Sequence, residues 1–380
     1  MTPSRTLMAI ALALSAMAAE PPAAAPAATN APARPRQFTP PVRSPEVLKD
    51  GKVTFRIRAP KSAEVTINGQ WPDGKGSLTK DTNGIWSITM GPIETGVWEY
   101  GFQVDGVGMI DPGNPNIKPM REPRTSILHL PSDPPRLYDF QDVPHGTVRL
   151  HTYRSKSLNR LRDLAVYTPP TYDQQSTATF PTLYLQHGSG DNQATWVAHG
   201  KAQWILDNLI AQGRAKPMVV VMMDGHAAIP GEGAGGPQNN TGMFERDLLE
   251  DVMPFVEATY RVKPDPQSRA IAGLSMGGEQ SLRIGLNHLD RFSWVAGFSA
   301  AAPSREAVAG VLNAPDEANQ KLKLLWIGVG KDDFLLKRNE EFVGLLKEKN
   351  IRHEWHLTEG NHSWPVWRGY LGELLPLLFQ

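Results

Sequence analysis

The stretch Arg269-Ala-Ile-Ala-Gly-Leu-Ser-Met-Gly-Gly278 places Gly273-Leu-Ser275-Met-Gly277, a Gly-x-Ser-x-Gly pentapeptide, between a short apolar run and a helical pattern. A serine on a sharp strand-to-helix turn sits in strained backbone geometry. The residues two before and two after it must be small for strand and helix to approach. Gly273 and Gly277 meet that need, and Gly278 adds room. Both flanks required of the motif are present, Ala270-Ile-Ala before it and Glu279 to His288 after it, so Ser275 is the candidate nucleophile. Met276 opens the helix, which aims its backbone N–H at the place where an oxyanion would form.

Outward from this turn, residues 137–380 read as apolar strands alternating with helical patterns. A hairpin, Gly146–His151 with Asp163–Tyr167, is followed by strands at Pro181–Gln186, Met218–Met223, Ala270–Ala272, Trp294–Ser299, Leu322–Gly328 and His353–Leu357. Helices are expected near Ala194–Gln212, Met243–Tyr260, after Ser275, near Arg338–Lys349 and near Trp367–Phe379. Such alternation predicts a mostly parallel sheet covered on both faces, an α/β-hydrolase fold.

A serine hydroxyl needs an imidazole to accept its proton, and the imidazole needs a carboxylate to fix its tautomer. In this layout the partners follow the serine in the order acid, then histidine. Of the histidines after Ser275, His288 belongs to the elbow helix and His353 and His356 to a strand pattern. His362, in the loop Glu359-Gly-Asn-His-Ser-Trp364, is the expected base. The turn Gly330-Lys-Asp-Asp-Phe334 offers Asp332 and Asp333, one expected as the acid and the other as a turn residue. For the second oxyanion donor, the loop His187-Gly-Ser-Gly190 nominates the Ser189 N–H beside that of Met276. His187 precedes the elbow in the chain and is read as a loop brace. Trp364, Phe334 and Trp196 are candidate substrate-binding walls, as is the Gly-rich loop 225–242.

Composition narrows the rest. Among 380 residues, Lys+Arg and Asp+Glu both number 39, so no net field favours nucleic acid or an anionic membrane. Cysteine is absent, which excludes disulfides, thiolate nucleophiles and Cys-ligated metals. Residues 1–19 read as a signal peptide, with Arg5, an apolar run from Leu7 to Ala16, and Ala16-Met17-Ala18 as the cleavage site, implying a secreted or periplasmic protein. That run is well short of the ~20 residues a membrane span needs. Residues 20–37, dominated by Pro and Ala, read as a tether. From residue 38 to 132 the pattern is all β: alternating runs at Val53–Arg58, Ala63–Ile67, Gly84–Thr89 and Val97–Val104, separated by turns, predict a small sandwich.

These features resemble two known families. Residues 38–132 resemble the early-set (immunoglobulin-like) sandwich of carbohydrate-binding module family 48, in Phe55-Arg-Ile-Arg-Ala-Pro60, Gly84-x-Trp86, Tyr100-x-Phe102-x-Val104-Asp105-Gly106 and Asp111-Pro112-x-Asn114. The places where starch-binding members carry sugar-stacking tryptophans hold Asp73-Gly-Lys-Gly76 and Val107-Gly-Met109, and Trp71, Trp86 and Trp98 read as core or edge aromatics. Residues 137–380 resemble carbohydrate esterase family 1, the feruloyl and acetyl xylan esterases and esterase-D-like hydrolases. The matching residues are Tyr184-Leu-Gln-His-Gly188 with Trp196, Asp247-Leu-Leu-x-Asp251-Val-x-Pro254, Tyr260-Arg261, the elbow, Gly330-x-x-Asp333 and Gly360-x-His362-x-Trp364. That resemblance selects Asp333 over Asp332. It implies acyl transfer from feruloylated or acetylated xylan or arabinoxylan, with no metal or organic cofactor. Feruloyl esterase is the preferred expectation and acetyl xylan esterase the alternative. A siderophore esterase and a non-catalytic carbohydrate-binding protein are the remaining rivals.

Overall fold

Strong β-formers, Val219-Val-Val-Met-Met223 and Thr182-Leu-Tyr-Leu-Gln186, are buried along their whole length, as strands covered on both faces must be. In the computed structural model, which describes residues 41–228 and 236–380, they lie at the middle of an eight-stranded sheet. In chain order its strands are β1 (Thr147–Ser155), β2 (Arg160–Thr168), β3 (Thr182–Gln186), β4 (Val219–Met223), β5 (Arg269–Leu274), β6 (Trp294–Phe298), β7 (Leu324–Gly330) and β8 (Glu354–Thr358). The spatial order is β1-β2-β4-β3-β5-β6-β7-β8. The β1–β2 and β2–β4 pairings are antiparallel and all the others parallel.

Successive side chains along each strand feed opposite cores. Val219, Val221, Ile271, Val295 and Ile327 enter one hydrophobic cluster, while Val220, Met222, Ala272, Ala296 and Trp326 enter the other. The elbow helix Met276–Asn287 packs on β5 and β6, burying Leu282 and Ile284 in the first cluster. The final helix Trp364–Leu374 covers the second through Trp367, Tyr370, Leu371 and Leu374. This is the α/β-hydrolase arrangement expected from the alternation of strands and helices.

Three helix expectations are revised. The segment near Ala194–Gln212 splits into Thr195–Ala198 and Ala202–Ala211, because Lys201 adopts φ 59° and Gly200 lies tight against Trp196 and Trp364. The segment near Met243–Tyr260 begins earlier, at Gly236, so part of the expected 225–242 loop is helical. It passes through a π-helical stretch, Asp247–Val252, before finishing as Met253–Thr259. There Asp247 pairs with Arg162 at 2.9 Å and Asp251 accepts the N–H groups of Lys156 and Ser157. The last helix starts at Trp364 rather than Trp367, with Pro365 in its first turn, where a missing N–H costs nothing. The expected signal peptide, the tether and residues 229–235 of the Gly-rich loop lie outside the described residues.

Ahead of the large sheet stand two smaller antiparallel ones. One joins Glu46–Val47, Val53–Arg58, Ile85–Met90 and Thr79–Lys80; the other joins Lys75–Ser77, Val65–Gly69, Gly96–Val104 and Val107–Met109, with Ser126–Leu130 also paired to Gly96–Val104. They enclose one core in which Phe55 stacks on Trp71 at 5.6 Å and both meet Tyr100. Trp71 and Trp86 are buried there. Asp111 accepts the hydroxyls of Tyr100 (2.7 Å) and Ser44 (2.6 Å), which explains a carboxylate at that buried position.

Candidate active site

Four loops at the carboxyl ends of β3, β5, β7 and β8 converge, where an open α/β sheet places its ligands. Ser275 follows β5 with φ 54° and ψ −114°, a backbone strained for any non-glycine residue. The strain is held by neighbours: the Ser275 N–H donates to Phe298 O (2.9 Å), and Ala301 N–H donates to Ser275 O (3.0 Å). Gly277 is required by close approach, since a Cβ there would lie 2.3 Å from the His187 carbonyl oxygen.

His362 Nε2 lies 3.0 Å from Ser275 Oγ, and His362 Nδ1 lies 2.9 and 3.0 Å from the two Asp333 oxygens. With Asp333 ionised, Nδ1–H donates to the carboxylate and Nε2 is free to accept the serine proton. Burial tends to raise the Asp333 pKa, but the hydrogen bonds it accepts from His362 and from the Leu335 N–H (2.8 Å) outweigh that and hold it below the ordinary carboxylate range. One expectation is corrected here. Asp333 both faces His362 and caps its own turn through Leu335, while Asp332 is exposed.

The loops that carry Asp333 and His362 are stitched backbone to backbone. Lys331 N–H donates to Thr358 O (2.8 Å) and Asp332 N–H to Gly360 O (3.0 Å). Gly330 makes the contact possible, for a Cβ there would sit 2.1 Å from the Gly360 oxygen. Trp367 meets the His362 ring edge-on at 4.9 Å, and Phe334 lies 4.4 Å from it with 75% of its surface exposed.

The loop after β3 lies against Ser275: a Cβ on Gly188 would meet Ser275 Cβ at 3.4 Å. No hydrogen bond among the described residues uses the N–H of Ser189 or of Met276, which leaves both available as donors. His187 is fully buried and braces this loop, as expected. Its Nδ1 lies 2.7 Å from Gly188 O, and the Gly225 N–H donates to its Nε2 at 2.8 Å. A second brace was not anticipated. Gly190 N–H donates to His226 Nε2 (3.0 Å), and burial lowers the His226 pKa to about 4, so the acceptor lone pair persists. Asn240 and Gln280 also converge here, both donating to Gly225 O. Nothing in their local pattern marks them, because their roles come from contacts across the fold.

Two of the three proposed substrate walls are corrected. Trp196 and Trp364 are 1% and 2% exposed and pack edge-to-face on each other at 4.9 Å, so neither ring has a face left for a ligand. Trp196 is further fixed by Nε1–H donation to Gln186 O (2.9 Å). Phe334 remains an open aromatic surface beside His362. Among the described residues no cluster of His, Asp and Glu has the form of a metal site, and no helix is long and apolar enough to cross a membrane.

Comparison with known proteins fits this geometry. The Esterase family model ("Putative esterase") matches residues 155–378. An endo-1,4-beta-xylanase/feruloyl esterase of Xylanibacter ruminicola is 31% identical over 347 residues, covering 88% of this chain but 46% of that protein, so the chain spans under half of that relative. Among solved structures, a ferulic acid esterase is 28% identical with a TM-score of 0.55, covering 62% of this chain and 99% of that one. The enterobactin esterase of Shigella flexneri, 18% identical, covers 86% of this chain and 92% of that one with a TM-score of 0.60, a likeness of fold. With its α/β-hydrolase sheet and most of that sheet's length matched by the family, the chain belongs to the Esterase family.

Proposed function

We propose that the protein is a serine esterase that releases hydroxycinnamate, ferulate above all, from feruloylated xylan or arabinoxylan. The observation that carries this reading is the continuous Ser275–His362–Asp333 chain, with contacts of 3.0 and 2.9 Å, at the strand ends of an esterase-family domain. Ser275 Oγ attacks the ester carbonyl as His362 Nε2 takes its proton, and Asp333 holds the imidazole in the required tautomer. The oxyanion is received by the Ser189 and Met276 N–H groups. His362 then protonates the departing sugar oxygen, and water, activated by the same imidazole, releases the acid from Ser275. The substrate class rests on the xylanase/feruloyl esterase relative and the solved ferulic acid esterase.

The same reading divides the chain into a signal peptide (1–19), a tether (20–37), a family 48-like immunoglobulin-type sandwich (38–132) and the hydrolase domain (137–380), with a secreted or periplasmic location. Acetyl xylan esterase activity is the second reading. It is favoured by the burial of Trp196 and Trp364, which leaves Phe334 as the one aromatic wall of the three expected. Ferulate release from methyl ferulate and acetate release from acetylated xylan separate the two. The preferred reading predicts the first, abolished in Ser275→Ala; acetate release without ferulate release would overturn it.

A further inference from the structure

We propose that Lys118, from the β-rich segment that precedes the hydrolase sheet, is a positioning residue for the oxyanion loop His187–Asp191. The inference rests on the assignment of the Ser189 N–H as an oxyanion donor.

The segment around Lys118 belongs structurally to the small sheets. Lys118 N–H donates to Thr125 O (3.0 Å), Ile127 N–H donates to Asn116 O (2.6 Å), and Ile117 bridges to Ser126. From that base it reaches the catalytic half of the molecule. Lys118 Nζ lies 3.0 Å from Glu99 Oε1, on strand Gly96–Val104, and 3.1 Å from Asp191 Oδ1, at the end of the oxyanion loop. All three side chains are at most 8% exposed. The backbone reinforces the ion pair: Met120 bridges to Asp191, Arg121 N–H donates to Gly190 O (2.9 Å), and Thr195 Oγ1 donates to Pro119 O (2.6 Å).

Gly190 is therefore gripped on two sides. Its carbonyl is held by Arg121 and its N–H by His226, while Asp191 is anchored through its carboxylate. Ser189, whose N–H has no acceptor among the described residues, is the residue immediately before this grip. Donor placement matters because an oxyanion hole works by being in position before charge develops, and an error of about 1 Å can cost a hundredfold in rate. A buried ammonium shared between two carboxylates from different parts of the chain is directional and poorly screened, so it fixes the distance between the small sheets and this loop. The β-rich segment thereby takes part in turnover of small soluble esters, independently of any polysaccharide it binds.

The test uses the full chain, methyl ferulate as substrate and phenylboronic acid as a tetrahedral probe of the oxyanion hole. Asp191→Asn removes the ion pair and leaves at most a neutral amide contact, while Lys118 stays paired with Glu99, so the buried charge stays balanced; Lys118→Met removes the tie from the other side. Rates are normalised to active sites counted by the acylation burst. The expected result in Asp191→Asn is a fall in kcat of about tenfold or more, with KM within about twofold and phenylboronate affinity weakened in parallel with kcat. A role confined to general stability would lower the number of active sites and leave kcat per site and boronate affinity unchanged, and that outcome overturns the proposal. If Lys118→Met does not fold, Asp191→Asn decides alone. Ser275→Ala distinguishes the levels: full activity there overturns the catalytic reading itself, whereas loss there with an unchanged Asp191→Asn overturns only the role of Lys118.

Discussion

On the proposed mechanism Ser275, His362 and Asp333 divide one proton transfer among three side chains, and each replacement should report a different part of it. Asp333→Asn keeps the size of the side chain but can donate to Nδ1, which favours the wrong imidazole tautomer. A fall in kcat of about 10³–10⁴-fold at nearly constant KM is expected in steady-state assays. Phe334→Ala tests substrate recognition instead. The ring is 75% exposed beside His362, so its loss should reduce kcat/KM for methyl ferulate by roughly tenfold while leaving a small acetyl ester nearly unaffected. Equal losses on both esters would remove Phe334 from the acyl site. Phe334, Trp196 and Trp364 all flank candidate site segments in the chain, but only the three-dimensional packing shows that the two tryptophans are buried edge-to-face against each other.

At the scale of elements, the site depends on how closely turns can approach. The loops after β7 and β8 share two backbone hydrogen bonds, and a Cβ on Gly330 would strike the Gly360 carbonyl at 2.1 Å. Gly330→Ala should therefore push acid and base apart, with kcat falling sharply and stability dropping by about 1–3 kcal/mol in denaturant titration. What the amino-acid order reveals about these elements follows a physical rule. The strand carrying Ala270–Ala272, the elbow, and the hairpin of β1 and β2 are legible because local periodicity and turn chemistry determine them. The elbow names Ser275, and chain order names His362. The break at Gly200, the π-helical stretch at Asp247–Val252 and the dual role of Asp333 are not legible, because each is set by partners distant in the chain: Trp364, Arg162 and the facing loop of β8.

Over the whole molecule, buried polar groups join the small sheets to the large one. Arg368, on the final helix, donates to Val97 O (2.8 Å) and to His199 O (3.1 Å), and His199 lies 3.3 Å from Glu99. Residues 271 positions apart in the chain meet there, which no local pattern could announce. The cluster also predicts acid sensitivity. Burial first of all lowers the pKa of His199 to about 3 and of His226 to about 4, from an ordinary 6.5. Between those values and 6.5 the unfolded chain binds protons that the folded chain refuses, so stability rises with pH across that window and falls as the solution is acidified. Melting temperatures should decline progressively below about pH 6.5, and His226→Gln, whose amide oxygen can still accept the Gly190 N–H, should flatten the decline. An unchanged slope in that variant would assign the acid loss to other groups.

On the proposed mechanism Ser275 carries the acyl group between two half-reactions. Rapid quenching of the enzyme during turnover of methyl ferulate, followed by peptide mass mapping, tests it most directly. One feruloyl group is expected on the peptide containing Ser275, and none in Ser275→Ala; ferulate release by the wild-type chain with the acyl group on another residue, or undiminished release by Ser275→Ala, would rule out Ser275 as the acyl carrier.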